Sequence, residues 1–112
     1  MKDIIKKWFI LSLGIYIASA LVTGFSADTA TAIIVASALL GIMNVFIKPV
    51  LLLITLPINL LTLGLFTFII NAVLLYFVSW IVKGLIIDSF LTALVASIII
   101  SIISVTVEWL FG

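Results

Sequence analysis

Displaced by 60 residues, the chain matches itself. Tyr16, Ser19, Val22, Gly24, Asp28, Val35, Ala36, Ser37, Ile42 and Val45 fall on Tyr76, Ser79, Val82, Gly84, Asp88, Val95, Ala96, Ser97, Ile102 and Val105, 10 of 30 ungapped positions. Composition alone gives about three. Most of the matched residues are small or polar, so the agreement is not a by-product of abundant Ile and Leu. The period implies a duplicated unit of two apolar segments, the first copy at about 8–48 and the second at about 65–108, joined by residues 49–64. Two segments return the chain to the side it left. Both copies therefore enter a bilayer in the same sense, related by a pseudo-two-fold axis along the membrane normal.

A bilayer is required because 67% of the 112 residues are hydrophobic and 8% charged, too little polar surface to coat a soluble domain. The expected fold is all-α and integral to the membrane, one transmembrane domain of four helices. Span one runs from about Trp8 to Thr23, span two from Thr29 to Lys48, span three from Leu65 to Val82, and span four from Ser89 to the carboxyl end. Each is near the 17–25 residues that cross a ~30 Å hydrocarbon layer as a helix. The start, Lys2 to Lys7 followed by an apolar run, resembles a secretory signal. The repeat opposes that reading, since it pairs the same run with internal residues 68–83.

Lys2, Lys6 and Lys7 precede span one, while the turn at 24–28 carries only Asp28 and the turn at 83–88 pairs Lys83 with Asp88. The positive-inside rule then puts both termini in the cytoplasm, and Trp8, Trp109 and Trp80 fall at the two interfaces. Neither His nor Cys occurs. Disulfides, thiolate or imidazole metal sites and Ser-His or Cys-His catalysis are thereby excluded, and no enzyme activity, metal or cofactor is expected. A net charge of +1 without a basic stripe gives no reason to expect nucleic-acid binding.

Span two carries Ser37, Gly41, Asn44 and Lys48, and span four carries Ser97, Ser101, Ser104 and Glu108, each set at steps of four, three and four on one helical face. In lipid such small and polar faces let backbones approach and hydrogen-bond. The expectation is that spans two and four meet on the pseudo-axis, as packing faces or, when several protomers assemble, as the lining of a polar path. Lys48 and Glu108 are repeat equivalents of opposite sign, which invites an ion pair; alternatively Lys48 snorkels to the headgroups and Glu108 is solvated. Asp28 and Asp88 each precede a hydroxyl and an apolar helix, the placement of helix N-caps. Asn71 is an amide within span three and needs a partner there.

Between the copies, residues 49–64 are as apolar as the spans, so this linker stays in or on the membrane, broken by Pro49 and Pro57. Thr55, Asn59 and Thr62 share one helical face ahead of Gly64. Two arrangements fit: an interfacial helix with that stripe toward water, or a re-entrant dip shielded by protein.

The runs Asn44-Val-Phe-Ile-Lys48-Pro49-Val-Leu, Thr55-Leu-Pro57-Ile-Asn-Leu-Leu-Thr62-Leu-Gly64-Leu-Phe66 and Ile70-Asn71-Ala72 resemble the four-span phage holin superfamily IV, the YvlD-like bacterial membrane proteins. The resemblance covers about residues 30–107. It implies a small cytoplasmic-membrane protein that contacts lipid, assembles as a homo-oligomer and, as a holin, opens lesions in the membrane. The residues alone leave two alternatives: a non-conducting structural or envelope-stress accessory, and a small ion or solute channel.

Overall fold

The computed structural model describes residues 2–62 and 64–111. Its elements are α1 (Lys2–Leu21), β1 (Phe25–Ala27), α2 (Ala30–Phe46), α3 (Lys48–Ile54), α4 (Leu56–Leu61), α5 (Phe66–Ile81), β2 (Leu85–Ile87) and α6 (Phe90–Phe111). The described residues are predominantly helical, but the two short turns are not simple loops. β1 and β2 pair antiparallel, Phe25 opposite Ile87, Ser26 opposite Ile86 and Ala27 opposite Leu85. Three residues per strand are too few to show an alternating pattern, which is why the sequence reads as turns.

The pairing closes on itself. The Asp28 amide donates to the Gly84 carbonyl at 2.8 Å, and the Asp88 amide to the Gly24 carbonyl at 3.1 Å. Gly24 and Gly84 enter the ribbon at φ +92 and +97, backbone that L side chains avoid. A Cβ on Gly24 would run into the Asp88 carboxylate, and one on Gly84 would lie 3.2 Å from Ala32 Cβ.

The helices form a ring of four. α1 packs on α2 and α6, and α5 packs on α6, α2 and α3. Among the described residues no Cα pair of α2 and α6 comes within 8 Å. The expected backbone meeting of spans two and four is therefore not made; these helices face each other across the bundle. Gly14 explains part of this. On α1 a bare Gly14 lets α6 approach so closely that an added Cβ would sit 3.1 Å from Ile100 Cγ2 and 3.5 Å from its Cα, whereas the aligned position on α5 is Leu74.

Ile15, Phe25, Leu75 and Val78 are fully buried where the helices converge below the ribbon. The outside is apolar as well: Leu61 is 85% exposed, Trp109 82% and Phe111 75%. An apolar shell on this scale is what lipid-facing helices carry. By length and composition α1 and α6 can each cross a membrane alone, and α2 with α3 is a sufficiently long apolar pair bent by 43°, the form of a broken span or a re-entrant loop. α5 is apolar and shorter, 16 residues, or ~24 Å of helix. The four uniform spans expected from sequence thus resolve into two long helices, one bent pair and one short helix.

Candidate functional site

A cleft of about 200 Å³ opens between α2, α3, α5 and α6, and its polar lining is Asn44, Lys48, Asn71, Ser97, Ser101 and Ser104. Helical phase brings them there. Asn44 and Lys48 follow Leu40 at steps of four down α2 into the bend, while Ser97, Ser101 and Ser104 descend one face of α6. Diagonal placement keeps the two faces apart, so hydroxyls and amides meet across open space rather than backbone against backbone. Leu11, Leu40, Leu75, Ile100 and Val105 complete the wall. Ser97 is buried and donates to the Leu94 carbonyl at 2.8 Å.

The other members of the two polar faces lie elsewhere. Ser37 is fully buried against α1, its Oγ 2.7 Å from Ser12 Oγ and 2.9 Å from the Ile34 carbonyl to which it donates. Gly41 also turns toward α1, where an added Cβ would meet Leu11 Cδ1 at 3.5 Å. Glu108 is exposed and lines no part of the cleft, so it forms no cap to Lys48 there. Asn71, read as an amide needing a neighbouring helix, is half-buried on the cleft wall.

The caps shift by one residue. Thr29, not Asp28, caps α2, with Oγ1 accepting from the Ala32 amide at 3.1 Å. At α6 the hydroxyl of Ser89 accepts from the Thr92 amide at 3.2 Å, while Asp88 accepts from the Thr92 hydroxyl at 2.6 Å. The ribbon takes the backbone amides of both aspartates, which sets the cap at the next residue.

In the linker, Pro49 and Pro57 occupy the first turns of α3 and α4, where a missing N–H costs no intrahelical bond. Thr55 separates the two helices and returns its hydroxyl to the Leu51 carbonyl at 2.7 Å. Asn59 is buried; its amide donates to Thr55 Oγ1 at 3.4 Å and its oxygen accepts from the Thr67 hydroxyl at 3.2 Å. Thr62 Oγ1 accepts from the Phe66 amide at 3.2 Å. Gly64, at φ +88, donates to the Asn59 carbonyl at 2.8 Å and ends α4. The stripe therefore faces the protein, and Leu53, Ile54, Leu60 and Leu61 face outward. Ser12 and Thr67, polar partners missed in the sequence, each stand out as a hydroxyl within an apolar run.

An apolar shell around a polar-lined bundle defines a small multi-pass membrane protein. Residues 2–106 match the family described as mycobacterial 4 TMS phage holin, superfamily IV, and the chain belongs to that family. It is 45% identical over 78 residues to the membrane protein YvlD of Bacillus subtilis, covering 69% of this chain and 66% of that one. With the protein SCO3922 of Streptomyces coelicolor it shares 35% identity over 85 residues, 72% of this chain and 68% of the relative. The chain thus spans about two thirds of the length of either relative. No solved structure shows a significant match.

Proposed function

We propose that the chain is a holin-like protein of the bacterial cytoplasmic membrane that self-associates and permeabilises the bilayer. In this reading it is a single domain built as a tandem of two helical hairpins, four spans with both termini cytoplasmic, joined by a membrane-embedded linker. The ribbon lies outside and the cleft opens toward the inner face. The cleft carries the reading: six polar side chains from four helices face one space inside a protein whose outer surface is apolar. Ser and Asn side chains within a span ordinarily serve helix packing, whereas an ionisable group such as Lys48 facing a shared space is the feature that marks a pathway or binding site.

The protomer is closed above that space, because Ile15 and Val78, about one turn beyond the cleft-lining Leu11 and Leu75, are fully buried together with Phe25 of the ribbon. Passage therefore requires the helices to part, and association through the exposed apolar faces provides the occasion. The same closure favours the alternative, a non-conducting structural or envelope-stress accessory. Induced expression with a membrane-potential dye separates the two. Loss of potential that tracks oligomer level supports permeabilisation. Intact potential and viability, with the oligomer present at high level, refute it in favour of the accessory role.

A further inference from the structure

The cleft is electrostatically one-sided. Lys48 is half-buried in its wall, and among the described residues no carboxylate shares the lining. Around it stand the amides of Asn44 and Asn71 and the hydroxyls of Ser101 and Ser104, all able to donate hydrogen bonds. A cation held partly away from water without a counter-charge is unfavourable, and an anion accepted by several donors relieves it. The space of about 200 Å³ is several times the ~30 Å³ that one water occupies in the liquid. A phosphate group fits; a whole lipid does not.

A second recess lies on the outer side of the same α2–α5 seam. It measures about 290 Å³ and is walled by Met43, Ile47, Leu51, Val73, Phe77 and Trp80. Along α2 and α3 the two recesses draw on neighbouring positions: Met43 adjoins Asn44, Ile47 adjoins Lys48 and Leu51 follows three places on; Ile47 is exposed, whereas Met43 is buried at the floor of the groove. The polar cleft and the apolar groove thus both border α2, α3 and α5, with Lys48 lining the first and the adjacent Ile47 lining the second.

We propose that the cleft binds a phosphate-bearing anion at Lys48, and that this anion is the headgroup of a phospholipid whose acyl chain lies in the groove. Charge complementarity selects the headgroup, and the apolar wall of the neighbouring groove, which begins one residue from Lys48 at Ile47, selects the chain. The site shares the cleft with the passage proposed above but requires no conduction. Binding measured in detergent therefore stands or falls independently of any effect on membrane potential.

The test uses the purified full chain in mild detergent, titrated with phosphatidylglycerol or with diacylglycerol of the same acyl chains and followed by native mass spectrometry. One phosphatidylglycerol should be retained per chain and diacylglycerol far less. Lys48→Gln should weaken phosphatidylglycerol binding about tenfold, the loss expected for a charge-assisted contact. Lys48→Arg should retain it, which guards against a fold defect, and Lys83→Gln, at the exposed turn lysine, should change nothing. Equal binding of both lipids, or equal losses in Lys48→Gln and Lys83→Gln, would overturn the site. Displacement of phosphatidylglycerol by millimolar inorganic phosphate would instead assign the cleft to a free anion and refute the lipid.

Discussion

Replacing Gly24 by alanine should be costly for a reason that can be divided into parts. Left-handed backbone at φ +92 costs an L residue ~1–2 kcal/mol, and the smaller freedom of alanine in the unfolded chain returns ~0.4–1 kcal/mol. Gly64 supplies the control, since it has φ +88 and nothing within 4 Å of an added Cβ. At Gly24 the methyl group also overlaps the Asp88 carboxylate. The carboxylate must swing away, and it loses the 2.6 Å hydrogen bond from Thr92. Such bonds to a charged group contribute ~1.5–3 kcal/mol, of which water restores part because Asp88 is exposed. Gly24→Ala should therefore destabilise by ~1–2 kcal/mol more than Gly64→Ala. Unfolding in detergent mixtures of increasing sodium dodecyl sulfate fraction, followed by circular dichroism, measures both. Combining Gly24→Ala with Asp88→Ala should cost less than the sum of the two, because the second change removes the overlap. Equal costs for Gly24→Ala and Gly64→Ala would show that the Asp88 carboxylate does not oppose a side chain at position 24.

Ser12→Ala and Ser37→Ala should each cost ~1 kcal/mol in the same unfolding assay and be less than additive together, since their hydroxyls bond one another. Asn59→Leu should detach α4 from α5, destabilising by ~1–3 kcal/mol by stranding the Thr67 hydroxyl; faster proteolysis of the linker in inverted vesicles would report it. Ser101→Leu places a large side chain in the cleft, and expressed at wild-type level it should lower the loss of membrane potential while the oligomer persists; an unchanged loss would remove the cleft from the path.

The residue pairs of the shifted alignment were informative where short-range geometry decides. Gly24 and Gly84 occupy matching left-handed positions, and Asp28 and Asp88 exchange matching amide bonds, because a turn is specified by the few residues in it. The partner of each helix was less legible. A small polar face on α2 or α6 states that something approaches, not what, and the approach was decided on α1 by Gly14, whose counterpart Leu74 breaks the symmetry. Direction failed to show in the linker for a related reason. Thr55, Asn59 and Thr62 form a stripe whether they face water or protein, and only the position of Thr67 on α5 turns it inward. Within the candidate site, Asn44, Lys48, Ser97, Ser101 and Ser104 were recognisable from spacing; the contribution of Asn71 depended on the ring order of the helices.

A holin-like passage in the proposed orientation requires the ribbon to lie outside the cell with the cleft below it. Cysteines at Ser26 and Ile86, exposed partners in the β1–β2 register, can be bridged in intact cells by a membrane-impermeant bifunctional thiol reagent. The account predicts an intramolecular cross-link from outside, without permeabilising the cell. A cross-link that forms only from the cytoplasmic side, or none from either side with each single cysteine still reactive, would contradict it.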